Sequence, residues 1–192
     1  MLAVSTSPII ARYLENVPAV AISFWRMAFG ALILWIISFF RKQLPLTAIN
    51  RNKTLLGGFL LGIHFALFFG SLKLTTIANA TFLGTLAPIF TFFIEKYFFK
   101  RKHNPTMVLG LSVAILGAFI IVANQFDFSS DYTLGNLLAV SCSLFLGMAF
   151  IISENVRKSV ANISYSRTLF SSAAITLLGI SLLTATPITG FS

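Results

Sequence analysis

Acidic residues are scarce in this chain: five Asp and Glu stand against fourteen Lys and Arg, and charged residues make up only 10% of the sequence. Soluble globular domains carry about 25%, so a water-facing surface cannot be built from this composition. Cysteine occurs once, at Cys142, which excludes a disulfide within the chain. The two histidines, His64 and His103, sit in unrelated segments with no Cys/His ligand spacing around them, so no metal is expected. No phosphate-binding glycine-lysine loop, dinucleotide glycine fingerprint or hydrolase elbow is present. No cofactor is expected, and nothing supports soluble-type catalysis.

Apolar residues fill the space that charge leaves, at 57% of the chain with a mean hydropathy of +0.89. Apolar spans run at about 18–40, 54–72, 77–99, 106–123, 134–152 and 163–186, each followed by a short polar joint. A helix rises ~1.5 Å per residue, so about twenty such residues cross a ~30 Å hydrocarbon core. The expected fold is therefore an all-α integral membrane protein, a polytopic helical bundle of six spans and a partial one. The partial span is the stretch MLAVSTSPIIA, which reads as the end of a helix and lacks the basic n-region of a cleavable signal.

The net charge of +9 could suggest nucleic acid, but the cations form short clusters between apolar runs and no basic face, so no nucleic-acid partner is expected. Sorted by alternating side, one side holds Arg41, Lys42, Arg51, Lys53, Lys96, Lys100, Arg101, Lys102, Arg157 and Lys158, and the other only Arg12 and Lys73. Arg26 and Arg167 lie within spans. Lys and Arg resist being carried across a bilayer, so the crowded side is expected to be cytoplasmic.

Two octapeptides offset by 141 residues are similar: ISFWRMAF at 22–29 and ISYSRTLF at 163–170. Each opens an apolar span, and they lie five spans apart. An odd separation turns the second copy upside down, as in the inverted repeats of secondary transporters.

Small residues recur every four positions in three spans: Gly58, Gly62, Ala66 and Gly70; Gly110, Ala114 and Ala118; Ala139, Ser143 and Gly147. Such stripes let helices approach closely, within the bundle or between two copies in a homodimer. His64 lies opposite the first stripe, so that face is also expected to look inward, toward a cavity or toward a hydrogen bond on a neighbouring helix. Pro88, Thr91 and Glu95 are spaced to share a face. Pro88 removes a backbone hydrogen bond and opens or kinks its helix, and broken helices near the midplane are where transporters bind solute. Glu95 has no helical Lys partner at +3 or +4; it either carries substrate or proton chemistry or pairs with a cation elsewhere. Arg26 and Arg167 either snorkel to opposite headgroup layers or turn inward as charged elements near the two openings. Together with Asn79 and Thr85, the candidate cavity residues are His64, Asn79, Thr85, Pro88, Thr91 and Glu95, with Arg26 and Arg167 as candidates for a gate or mouth.

The stretches AVSTSPIIARYLENVPAVAISFWRMAFGALIL, with Pro18 and Arg26, and SLKLTTIANATFLGTLAPIFTFFIEKYFFKRK followed by LGLSVAILGAFIIV resemble the first repeat of the drug/metabolite transporter superfamily, EamA type. Arg26, Pro88, Gly110 and Gly117 match the pattern. The resemblance implies a ten-helix fold of two inverted five-helix halves that moves small metabolites, often outward, across a bacterial inner membrane. Residues 1–123 would be the first repeat with helix 1 incomplete, 124–133 an external linker, and 134–192 the start of the second repeat. It implies a lipid bilayer and a small-molecule metabolite as partners; the rival expectation is a non-transporting membrane protein that acts only through helix contacts. A cytoplasm-only reporter fused after His103 or Ser159 should be active, and one fused after Phe128 inactive; the opposite pattern would overturn the charge-based orientation.

Overall fold

The computed structural model describes residues 7–14, 16–41 and 44–191. Lys42 and most of the proposed partial span, residues 1–6, lie outside the described residues, as does the side chain of Arg12. The described helices are α1 (Ser7–Tyr13), α2 (Ala19–Phe40), α3 (Ala48–Leu74), α4 (Ile77–Gly84), α5 (Ala87–Tyr97), α6 (Pro105–Val122), α7 (Thr133–Arg157) and α8 (Asn162–Leu183). Short 3₁₀ turns, Ala123–Gln125 and Ser130–Tyr132, fill the joint between α6 and α7. Taking α4 and α5 as one broken span, six segments are long and apolar enough to cross a membrane.

Local chemistry sets several boundaries. Thr47 and Thr76 cap α3 and α4 by accepting the N–H of Asn50 and Asn79, and Asn104 caps α6 with Pro105 in its first turn. α3 begins six residues before the apolar span at 54 because its first turns are polar and exposed. The span at 77–99 is broken at Thr85 and Leu86, just ahead of Pro88. Pro88 has no N–H for the Gly84 carbonyl, so the chain turns tightly instead: Leu86 donates to Leu83 O at 3.3 Å and Ile89 to Leu86 O at 2.9 Å.

α3 occupies the centre, packed on α7 along one side and α8 along another, while α2 leans on both α8 and α3. Buried Met27, Ala173, Ala174 and Leu177 fill the seam between α2, α3 and α8; Phe69, Leu72, Ala80 and Ala11 fill the seam between α1, α3 and α4. α2 and α8 run antiparallel: Trp25 Nε1 donates to Ile188 O at 2.8 Å, Gly30 faces Phe170, and Ser38 meets Arg167. The cation-rich ends are gathered together, where Asn50 Nδ2 reaches Ser159 Oγ at 3.2 Å and Ser164 Oγ reaches Leu44 O at 3.0 Å. We call this the basic end.

The first small-residue stripe makes the α3–α8 contact. A Cβ on Gly58 would lie 2.5 Å from Leu169 O, and one on Gly62 would lie 2.9 Å from Ala173 O. Ala66 packs on the same seam, whereas Gly70 has rotated toward Leu138 of α7. Ala139, Ser143 and Gly147 are all buried on α7. The stripe of α6 differs from expectation: a Cβ on Gly110 or Gly117 would meet nothing within 4 Å, and no residue of α6 is buried. α6 touches α4 through Phe119 on Phe82, with Phe126 of the following joint against the same ring, bulky rings that hold the helices apart. Gly58→Ala should therefore destabilise the protein by about 1–3 kcal/mol through overpacking, with Gly110→Ala neutral or slightly stabilising; thermal unfolding in mild detergent reads both.

Candidate functional site

α4 and α5 lie along α7, parallel to it, over their whole length. The contact starts at Asn79 and Asn136 at the end remote from the basic end. It continues through Ser143 Oγ donating to Leu83 O, and through Gly147, where an added Cβ would lie 3.1 Å from Ala87 O, and it ends at Glu95 and Glu154. The facing positions on the broken span recur every four residues: 79, 83, 87, 91 and 95. The helix break therefore abuts the narrowest part of α7, between Ser143 and Gly147.

Asn79 is fully buried. Its Nδ2 donates to Asp127 O at 2.7 Å and to Asn136 Oδ1 at 3.0 Å, and its Oδ1 accepts the Asp127 N–H at 3.0 Å. Thr75 Oγ1 donates to the same Asn136 Oδ1 at 2.8 Å. This amide is thus committed to holding the 124–133 linker and the start of α7 rather than pointing at an open cavity.

His64 is buried on the α7 side of α3. Its Nδ1 lies 2.9 Å from Cys142 O; a carbonyl only accepts, so Nδ1 carries the proton and Nε2 is left as an acceptor. The ring stacks on Phe68 and meets Phe65 edge-on. Cys142 is itself fully buried, with Sγ donating to Ala139 O.

The expected face of Pro88, Thr91 and Glu95 is divided. Thr91 sits against α7, donating to Ala87 O at 2.9 Å, with Gly147 O at 3.5 Å. Thr85 and Pro88 turn the other way, lining a cavity of about 190 Å³ with Leu111, Ala114 and Ile115 of α6. Pro88, Thr91 and Glu95 all follow the break and keep one helical phase; α5 presents 87, 91 and 95 to α7, which leaves Pro88, one step past Ala87, on the side turned to α6.

Glu95 is buried at the basic end, with Oε1 accepting from Arg101 Nη1. The same Nη1 donates to Glu154 Oε2 of α7 at 2.8 Å, and Lys158 Nζ holds Glu154 Oε1 at 2.7 Å. Those contacts raise the Arg101 guanidinium further above its ordinary range, the Glu154 hydrogen bond first. His103 Nε2 lies 3.9 Å from Glu95 Oε2, buried and without a hydrogen-bond partner among the described residues. Lys100, with φ of +50°, makes the turn that brings Arg101 back over Glu95.

Arg26 is turned onto α3: its guanidinium lies over the rings of Phe65 and Phe69, 5.0 and 5.9 Å from their centroids. Arg167 likewise turns inward, over Trp35 of α2 at 4.5 Å, with Nη1 donating to Ser38 Oγ. Trp35 Nε1 in turn donates to Ser171 Oγ at 3.1 Å. Arg26 and Arg167 thus lie toward opposite ends of the α2–α8 pair, each over an aromatic face of an adjacent helix.

Asn136, Arg101 and Glu154 escaped selection from sequence. Asn136 and Glu154 extend the α7 stripe of 139, 143 and 147 by regular helical steps, which is the signal that could have found them. Arg101 had no such signal, because a loop residue's direction is set by the turn at Lys100.

Comparison with known proteins agrees with a multi-span membrane bundle. The EamA-like transporter family matches residues 1–123, well over half of the chain, and the chain belongs to that family. It is 24% identical over 173 residues to the uncharacterized transporter YyaM of Bacillus subtilis (strain 168), covering 85% of this chain and 56% of that protein. A solved crystal structure is similar in fold, with a TM-score of 0.68 over 92% of this chain and 62% of its own, at 18% identity. The chain thus spans a little over half the length of each. Asn79→Ala leaves Asn136 and the Asp127 backbone short of partners, and should lower stability by about 1–3 kcal/mol, read as an earlier thermal transition in detergent.

Proposed function

We propose that this chain forms the larger part of a secondary-active transporter that moves a small organic solute by alternating access. The observation that carries the reading is the span broken at Thr85 and Leu86 and pressed against α7, in a membrane bundle of a transporter family. Discontinuous helices expose backbone carbonyls where a solute can be coordinated, and they supply a flexible point in an otherwise rigid rod. His64, with Nδ1 engaged by Cys142 O, keeps Nε2 as an acceptor, and Thr91 carries a hydroxyl against Gly147, so α7 has a polar side chain of a neighbouring helix on each of two sides.

The antiparallel packing of α2 on α8 supports an inverted relation between residues 19–40 and 160–181, the ranges that the 141-residue offset connects. The ten-to-two cation asymmetry supports a cytoplasmic position for the basic end, in an inner-membrane protein. Energy for transport would come from a solute or ion gradient.

Reconstitution into lipid vesicles tests the reading. Protein-dependent flux of at least one radiolabelled metabolite from a panel of amino acids, nucleosides and organic cations is expected. Pro88→Ala, which allows the helix to run through, should cut that flux by about tenfold or more with insertion unchanged. The rival, a membrane protein acting only through helix contacts, predicts no protein-dependent flux for any panel member.

A further inference from the structure

The parallel seam between α4/α5 and α7 is fastened at its two ends by different chemistry, with the helix break between them. At the end near the 124–133 linker the fastening is neutral, with Asn79 and Thr75 buried against half-buried Asn136 and the Asp127 backbone. At the basic end it is ionic and open to water: the Arg101 and Glu154 side chains are 36% and 41% exposed. In the middle the fastening is steric, Gly147 lying against Ala87, Phe90 and Thr91. We propose that this seam is a two-ended gate, in which the Glu95–Arg101–Glu154 bridge is the latch of the basic end and the Asn79–Asn136 cluster the latch of the opposite end, each able to release while the other holds. The proposal rests on the transporter reading and supplies it with the parts that open.

Three observations favour a gate over a static brace. Among the described residues Arg101 is the sole link between the two carboxylates across the seam, and it comes from the loop after α5, so a small movement of that loop breaks both contacts together. Exposed ion pairs bind weakly and are screened by salt, which suits a contact that must part repeatedly. Glu154 also lines a groove of about 570 Å³ with Phe150, Ser153, Arg157, Lys158 and Asn162. Release of Arg101 would join that groove to the seam and lead water toward Thr91. Every charged or titratable group at this latch enters: Glu95, Arg101, His103 and Lys96 from α5 and its loop, with Glu154 and Lys158 from α7. Of these, only Arg101 spans the seam.

Accessibility, not flux, tests the gate. A reporter, Thr91→Cys in a Cys142→Ala background, is labelled with a membrane-impermeant maleimide applied to either face of sealed vesicles. Arg101→Gln and Glu154→Gln should each raise the labelling rate from the basic side by at least about fivefold, and Arg101→Lys by much less. Asn136→Leu should raise labelling from the opposite side only. Raising ionic strength in the protein with both latches intact should mimic Arg101→Gln, which covers the case in which a variant inserts poorly. An unchanged basic-side rate in both the variants and high salt overturns the latch, as does an equal rise from both sides, which would mean general loosening. A side-specific response without any solute flux would retain the gate and sink the transporter reading instead, so the two failures are distinguishable.

Discussion

Within about 30 Å of hydrocarbon no polar group finds water, so a donor or acceptor there is matched within its own helix or by a neighbouring one. That constraint explains where the polar side chains are. Ser23 Oγ, Ser143 Oγ and Ser172 Oγ donate to backbone carbonyls of neighbouring helices, at Phe65, Leu83 and Leu55. His64 does the same to Cys142. Such bonds are short-range and directional, and together they set the register of helices that lipid-facing leucines and phenylalanines would allow to slide.

Close approach makes those bonds reachable. Gly58 and Gly62 bring α3 against the backbone of α8, and Gly147 brings α7 against Ala87. With α3 held on one side by its glycines, its opposite side is presented to α7, and His64 follows. Two neighbours therefore divide one helix between a steric face and a polar face. Pro88 breaks the adjacent span at the level where α7 is slimmest, so the narrowest contact and the most deformable backbone coincide. Weak, water-exposed charges at one end of that span and a neutral amide cluster around buried Asn79 at the other give the two ends unequal strength and unequal sensitivity to salt.

Much of this architecture was legible in composition and spacing. Span number, the basic side, the central small-residue stripe, the opening of the helix before Pro88 and the inward placement of His64 each follow from one-dimensional rules, because length, charge and helical phase are properties of a single segment. The division of Thr85 and Pro88 from Thr91 and Glu95 was not legible, since spacing tells which residues lie close together around a helix but not where one neighbouring helix ends and the next begins along that arc. The open surroundings of Gly110 were also hidden: a small residue permits an approach, but bulky Phe82 and Phe119 decide that α4 and α6 stay apart. Asn79 looked like a cavity residue and proved committed to the linker, a partner more than forty positions away in the chain.

By itself, then, the sequence determined that the chain crosses a membrane several times, which end of the bundle is positively charged, and which spans can pack tightly, because burial in lipid and charge placement act on each segment separately. Tertiary structure alone decided the partners: that Glu95 meets Glu154 through Arg101, that Arg26 and Arg167 stack on rings of other helices, and that the broken span runs in register with α7. Those contacts join residues far apart in sequence, and their geometry depends on how whole helices rotate against one another, which no single segment encodes.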